Sequence, residues 1–440
     1  MKRFLALCLL GCAALTAQQV PGATELPGSP FLIKKTWFIG GVGNWDYLTM
    51  DPAAGRLYVA HGSAVQVVDV ESGVLAGAVS GLRLAHSIAL DESGEFGYVS
   101  DGLANQVKVF DRRTFKVVAG IPTGPGPRAI VLEPQTRLLF AVCTAPVPQN
   151  PAQSSGSQGR TNPGAAGRSA ARNGTVAGEE IRSSITVIDT ATRQPLGEIL
   201  MPGTLGFAGT DGHGLVFINI VNRNQIARLD AQSIAALLGR RADRAAAAEA
   251  ALLHPAAGQP GVQPPSSATE NAASPMLDWS HESRPANSAQ DRLRFFALGP
   301  DCLEPSALLV DGGHQRLFVA CNNMKMDVLN ADTGELVASL PTGPGAEAIG
   351  YDPGHGLIYS ANGGASGSLT VIRQDVTDSY AVIQNLPTRQ RARTLAVNAV
   401  TGEVYLVTDL LGMNLAEPGG IGTLRTTPVG GSFQVLVVGH

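Results

Sequence analysis

Along most of the chain, apolar and polar residues alternate in short runs separated by turn-forming residues, the period-two pattern of half-buried strands. From Asn44 to Leu75 the order is plain. An alternating strand runs to a turn at Asp51-Pro52, a Tyr-containing strand follows, a Val-rich strand closes on Asp69, and a fourth run completes the unit. The same order restarts at His86 and Arg128, steps of 40 and 42 residues counted from Asp46, and again near Gly206, Ser306, Glu347 and Arg393. Turns recur in step, as at Asp91 to Gly94 and at Asp352-Pro353. A period near forty with four strands per unit is that of a propeller blade, whose sheet cannot cover both of its faces until neighbours stack against it. The pattern therefore predicts an all-β chain, a seven-bladed β-propeller of four-stranded blades.

The second strands carry a recurring word: Tyr58-Val59-Ala60-His61, Tyr98-Val99-Ser100-Asp101, Phe318-Val319-Ala320-Cys321 and Tyr359-Ser360-Ala361-Asn362. These resemble the YVTN-repeat propellers, which include periplasmic proteins of the YncE kind, over nearly everything after Phe31. The resemblance implies that an N-terminal strand closes the last blade. Lys34 to Gly40 would then share blade seven with Phe433 to Val438, leaving no open sheet edge. Relatives of that kind have been associated with single-stranded DNA. Arg128 departs from the Asp often seen at its position in similar proteins, so the family's ligand is not carried over.

Three segments interrupt the repeat. Residues 145–182, rich in Pro, Gly, Ser and Gln, fall between the second and third strands of blade three and read as a loose loop. Residues 231–291 fall between the third and fourth strands of blade four. They begin with an Ala- and Leu-rich helix from Ser233, read as its cap, to Leu253, with Pro255 as its stop, and continue as a Pro/Ser/Ala run read as mobile and holding Trp279 as a partner contact. Residues 410–431 join the second and third strands of blade seven. Propeller topology puts the first and third insertions on the face where the inner strands begin, and the second on the opposite face. Recognition is expected on the first face, because loops on a rigid scaffold carry binding.

Residues 1–17 have Lys2-Arg3, an apolar run from Phe4 to Leu15 and small Ala17, the pattern of a cleaved secretory signal. Residues 18–30 are a linker and 31–440 the propeller. Export to the periplasm or beyond is expected. Leu9-Leu10-Gly11-Cys12 offers a competing lipoprotein reading, disfavoured by the short apolar run before Cys12. No later stretch is long and apolar enough to span a bilayer, and a monomer is expected.

Charge is moderate, with a formal balance of −4 that becomes more negative when Lys2 and Arg3 leave, and no basic tract offers a phosphate-binding stripe; nucleic acid is not an expected partner. Of five cysteines, Cys8 and Cys12 belong to the leader. Cys321 ends the second strand of blade five and Cys302 lies just before its first, neighbouring ends in an antiparallel pair, so they are expected to form a disulfide; the alternative is two buried thiols. Cys143, at the equivalent place in blade three, reads as a small buried hydrophobe. No Cys-x-x-Cys-His or Gly-x-Ser-x-Gly is present, and no cofactor is expected.

Aligned copies put Asp46, His86, Arg128, Gly206, Ser306, Glu347 and Arg393 at the starts of the inner strands, around one mouth of the channel. Either they satisfy one another around the ring, or they line a pocket for a small anionic or zwitterionic ligand, with Arg128 and Arg393 as carboxylate or phosphate forks. The ends of the second strands give a second ring: His61, Asp101, Cys143, Ile220, Cys321, Asn362 and Thr408. Pairing within blades would set Asp46 beside His61 and His86 beside Asp101, a structural clasp or a base. No dense metal-ligand motif is present. His213, His314 and His355 fall in turns of the opposite face and are expected to be solvated. The reading is a binding or interaction scaffold without catalysis, its partner a small anion or an envelope protein. The rival is a lactonase- or lyase-like propeller enzyme, metal-dependent or not, working at the channel mouth.

Overall fold

The computed structural model describes residues 30–41, 43–144, 182–240, 243, 276–279, 292–364, 366–376, 378–414 and 425–440. Residues 1–29 with Cys8 and Cys12, residues 145–181 of the first insertion, His254 and His281 lie outside them.

Seven antiparallel sheets form the seven blades of a β-propeller. Blade one runs Trp45–Asp51, Arg56–His61, Ala64–Asp69 and Leu75–Val79 from axis to rim, and blade two repeats this with Ala85–Leu90, Phe96–Asp101, Gln106–Asp111 and Val117–Pro122. The inner strands of the later blades are Pro127–Glu133, Leu205–Thr210, Pro305–Asp311, Ala346–Asp352 and Leu395–Asn398. The second strands, sandwiched within and between sheets, are buried along nearly their whole length: Leu138–Cys143, Arg316–Cys321 and Leu357–Asn362 have no exposed residue. Core clusters lie between blades, so that Tyr58 and Val67 of blade one pack on Ile88 and Phe110 of blade two.

Closure uses the first strand. Leu32–Phe38 pairs antiparallel with Gln434–Gly439, making the rim of blade seven out of the beginning of the propeller. Ahead of it, the backbone N–H of Phe31 donates to Gln384 Oε1 and its carbonyl accepts from Gln384 Nε2, both at 2.9 Å, while its ring meets Tyr359 edge-on at 5.8 Å. One blade-six side chain thus satisfies both backbone groups of a residue whose own side chain is buried.

Within the second insertion, a helix over 231–240 buries Ala231, Ile234 and Leu238 in the core shared by blades three and four. Its cap is Asp230, not Ser233: the Ser233 N–H donates to Asp230 Oδ1 at 2.6 Å, so the aspartate that ends the third strand also accepts an orphan donor of the first turn. Further on, Met276–Asp278 adds to the rim of blade three as a fifth strand, parallel to Gln194–Pro202. Trp279 follows, its N–H donating to Leu200 O at 2.9 Å and its ring packed on the same core. For residues 276–279 the expectation of a mobile run with a partner-facing Trp279 is corrected: the free edge of blade three supplies backbone partners that the Pro/Ser/Ala composition could not reveal, and Trp279 packs on this chain's own core. The rest of the Pro/Ser/Ala run lies outside the described residues. In the third insertion Leu411–Asn414 and Arg425–Pro428 form a hairpin.

Cys302 and Cys321 are joined by a disulfide with Cα atoms 5.4 Å apart. On the opposite face from the channel mouth, His314 and His355 are exposed, but each is paired, its Nδ1 2.7 Å from Asp311 Oδ2 and Asp352 Oδ2 respectively.

Phe31→Ala is expected to destabilise the fold by about 3–5 kcal/mol, the usual cost of emptying a buried aromatic site, and Gln384→Leu by about 1–3 kcal/mol, through the two backbone groups it would strand. Equilibrium urea denaturation measures both.

Candidate functional site

The channel mouth depends on a bulge. Where each inner strand pairs with its neighbour, the register shifts between residues 45/48, 85/88, 127/129, 205/208, 305/307 and 346/348. The residues passed over include Asp46, His86, Arg128, Gly206, Ser306 and Glu347; in blade seven Arg393 stands just before Leu395–Asn398. A bulged residue leaves the ladder and its side chain is re-aimed. The mouth residues accordingly reach around the ring and not across their own sheets.

Asp46 Oδ2 lies 2.7 Å from His86 Nδ1 and 3.4 Å from Arg128 Nε, so one carboxylate of blade one gathers groups from blades two and three. Arg393 Nε lies 3.2 Å from Glu347 Oε2, and its Nη2 donates to the Trp45 carbonyl at 3.3 Å. The Asp46 carboxylate, above all, strengthens the hold of Arg128 on its proton. Burial pushes the Glu347 carboxyl above its ordinary range, with the Arg393 guanidinium opposing. Within the channel the rings of Tyr47 and Phe207, from the non-adjacent blades one and four, meet at 4.4 Å. Burial, reinforced by Asp46, drives the Tyr47 phenol far above its usual pKa.

The two within-blade pairs expected from the sequence do not form. Because of the bulges, His61 faces Trp45 and Asp101 faces Ala85 in the ladder, one position away from Asp46 and His86. His61 is buried, with Nδ1 2.8 Å from Gln66 Oε1, Nε2 3.1 Å from the Gly43 carbonyl and its ring 3.9 Å from that of Phe433. Asp101, with no exposed surface, accepts from the backbone N–H groups of Arg83 and Leu84 at 3.0 and 2.9 Å. Thr408 donates to the Gln390 carbonyl at 2.8 Å, and Cys321 is bonded to Cys302. In each of these blades the end of the second strand fastens the connector arriving from the preceding blade, by hydrogen bond or by disulfide. Four members of the second ring, His61, Asp101, Cys321 and Thr408, are therefore latches, and Asp46, His86, Arg128, Glu347 and Arg393 are the candidates that share the mouth.

Cys143 is a buried free thiol, pushed up to about 11 by burial, with Thr186 Oγ1 3.9 Å away. Nearby Glu198 also has its carboxyl raised by burial. Among the described residues no three His, Cys, Asp or Glu converge as metal ligands. Nothing in the alternating pattern marks Tyr47 and Phe207, although each directly follows a mouth residue in its copy of the repeat.

Gly102 makes room for the mouth histidine: a Cβ there would stand 2.7 Å from His86 Nε2. Gly102→Ala is expected to displace the ring from Asp46, seen as a shift of the His86 imidazole resonances in NMR, with the fold retained. For Glu198 the raised folded-state pKa means that its contribution to stability is full below the ordinary carboxylate range and is lost as pH rises through the raised value. Glu198→Gln is expected to melt a few degrees above the parent at pH 8 and level with it at pH 4, in differential scanning calorimetry.

No family model matches the sequence, and no curated protein matches it. Solved structures do resemble it in shape. The WD40 repeats of RRP9 align with a TM-score of 0.57 at 7% identity over 91% of this chain and 96% of theirs. U3-55K aligns at 0.56 with 7% identity, over 91% and 97%. The hydrazine synthase of Kuenenia stuttgartiensis aligns at 0.53 with 13% identity, over 88% of this chain and 97% of that one. At such identities the likeness is one of fold, and the fold is a β-propeller.

Proposed function

We propose that this is an exported propeller of the YVTN/YncE-like kind that acts without catalysis, as a binding and interaction scaffold of the periplasm or cell envelope. Its partner is a small anionic or zwitterionic ligand, or an envelope protein, taken on the face where the inner strands begin. One observation carries this reading: five ionisable side chains from five different blades converge on a single rigid mouth. Four-stranded sheets hold them in place, so a ligand would meet a site already arranged and lose little to ordering it. The sequence between the second and third strands of blades three and seven is also long on this face, which suits recognition of a larger partner.

A propeller enzyme is the second reading, favoured by one contact. Asp46 orients His86 through Nδ1, and among the described residues His86 Nε2 has no hydrogen-bond partner, the arrangement of a general base. A hydrolytic screen with simple lactones would support it if turnover appeared in the parent and disappeared in His86→Ala.

The scaffold reading is tested by a thermal-shift screen of the mature protein against organic acids, nucleotides, divalent metals and cell-wall fragments, repeated on Arg393→Ala and His86→Ala. The expected outcome is a ligand that raises the melting temperature of the parent, by about 3 kcal/mol of stabilisation at a hundredfold excess over its Kd, and of neither variant. Absence of any hit at millimolar concentration, with both variants as stable as the parent, would overturn the small-molecule pocket.

A further inference from the structure

Charge is distributed unevenly around the mouth. From blade six through blade three, every mouth position is ionisable: Glu347, Arg393, Asp46, His86 and Arg128. Blades four and five interrupt the series. At Gly206 a Cβ would stand 3.0 Å from Val221 Cγ2, so an apolar methyl lies where a mouth side chain would be. Ser306 turns its hydroxyl inward, donating to the carbonyls of Ala346 at 2.5 Å and Ala320 at 3.2 Å. The result is an uncharged arc, with Phe207 meeting Tyr47 beside it in the channel.

The two residues that flank this arc are the most exposed of the charged set. Arg128 has 42% of its side-chain surface accessible and Glu347 41%, against 13% for Asp46, 18% for His86 and 27% for Arg393. Each is held from behind by one contact, Arg128 through Nε to Asp46 and Glu347 through Oε2 to Arg393. Among the described residues neither side chain has a second ion-pair partner, and no hydrogen bond engages the Nη atoms of Arg128 or Oε1 of Glu347. A guanidinium fork and a carboxylate oxygen therefore stand on either side of an apolar arc, near enough to influence each other's ionisation.

We infer that the mouth binds a free α-amino acid with an apolar or aromatic side chain: Arg128 takes the carboxylate, Glu347 the ammonium, and Val221, Phe207 and Tyr47 the side chain. A simple anion would be repelled by Glu347 and a simple cation by Arg128, whereas a zwitterion satisfies both. The apolar arc adds area that neither charge could supply. This rests on the reading of the mouth as a ligand pocket and narrows it to one class.

Calorimetric titration of the full mature chain at pH 7 compares L-phenylalanine, L-leucine and L-methionine with N-acetyl-L-phenylalanine and L-phenylalaninamide. At least one free amino acid is expected to bind tenfold or more tightly than either blocked form. In Glu347→Gln the advantage over the N-acetyl form should vanish, and in Arg128→Ala the advantage over the amide, while Arg128→Lys keeps part of it; thermal melts of each variant establish that the fold is intact. Binding of the N-acetyl compound as tightly as the free amino acid, improved by Glu347→Gln, would overturn the zwitterion assignment and leave an anion pocket standing. No binding by any of the five compounds would overturn the assignment as well, and the wider screen of anions and cell-wall fragments then decides whether the pocket reading falls with it.

Discussion

Every blade has two apolar faces and can cover neither by itself. Tyr58 and Val67 on one side of blade one need Ile88 and Phe110 of blade two, and Leu57 and Val59 on the other need Val407 and Val435 of blade seven. Burial of apolar area is the dominant favourable contribution to folding, and a ring is the arrangement in which no blade is left with a bare face. The disulfide, the connectors and the pairing of the first strand with the last all serve that requirement, because each holds a blade against the next.

The mouth follows from the same constraint. Seven twisted sheets crowd their inner strands at the axis, and in six of them the register slips by a bulge at the start of that strand. The slip frees one side chain per blade from the ladder and lets it act between blades, which is how one Asp46 carboxylate comes to serve both His86 and Arg128. Charged groups near an axis of packed protein are partly desolvated, so they are retained where a neighbour compensates them. The pairs Asp46 with His86 and Glu347 with Arg393 meet that condition, and the outward faces of Arg128 and Glu347 are the charge left over for something else.

Much of this could be read from the sequence. Seven copies of one strand order, spaced at nearly constant intervals, are enough for the fold, and the word ending in His61, Asp101, Cys321 or Asn362 locates the second strands to the residue. The seven residues named for the mouth fall where the copies start. What the sequence could not convey was the bulge, since a one-residue slip leaves no mark in the period-two pattern and yet changes every partner. Hence the pattern sets Asp46 beside His61, whereas His61 holds Gln66 and the Gly43 carbonyl. The fifth strand at Met276–Asp278 was missed for a related reason: three residues are too short to show a period, and only the waiting edge of blade three gives them a partner.

The clamp on Phe31 joins residues 353 positions apart, and the strand after it pairs with the last residues of the chain. In order of synthesis, the first segment of the propeller to leave the ribosome is the last to find its place. Until then it is an unpaired strand led by an aromatic that has not yet found its buried site, and blade seven lacks a rim. The entropic cost of joining such distant ends grows only slowly with their separation, so waiting is a matter of time more than of stability. During that interval the growing chain presents the kind of edge that invites pairing with another molecule, and any factor that escorts this protein would have its task there.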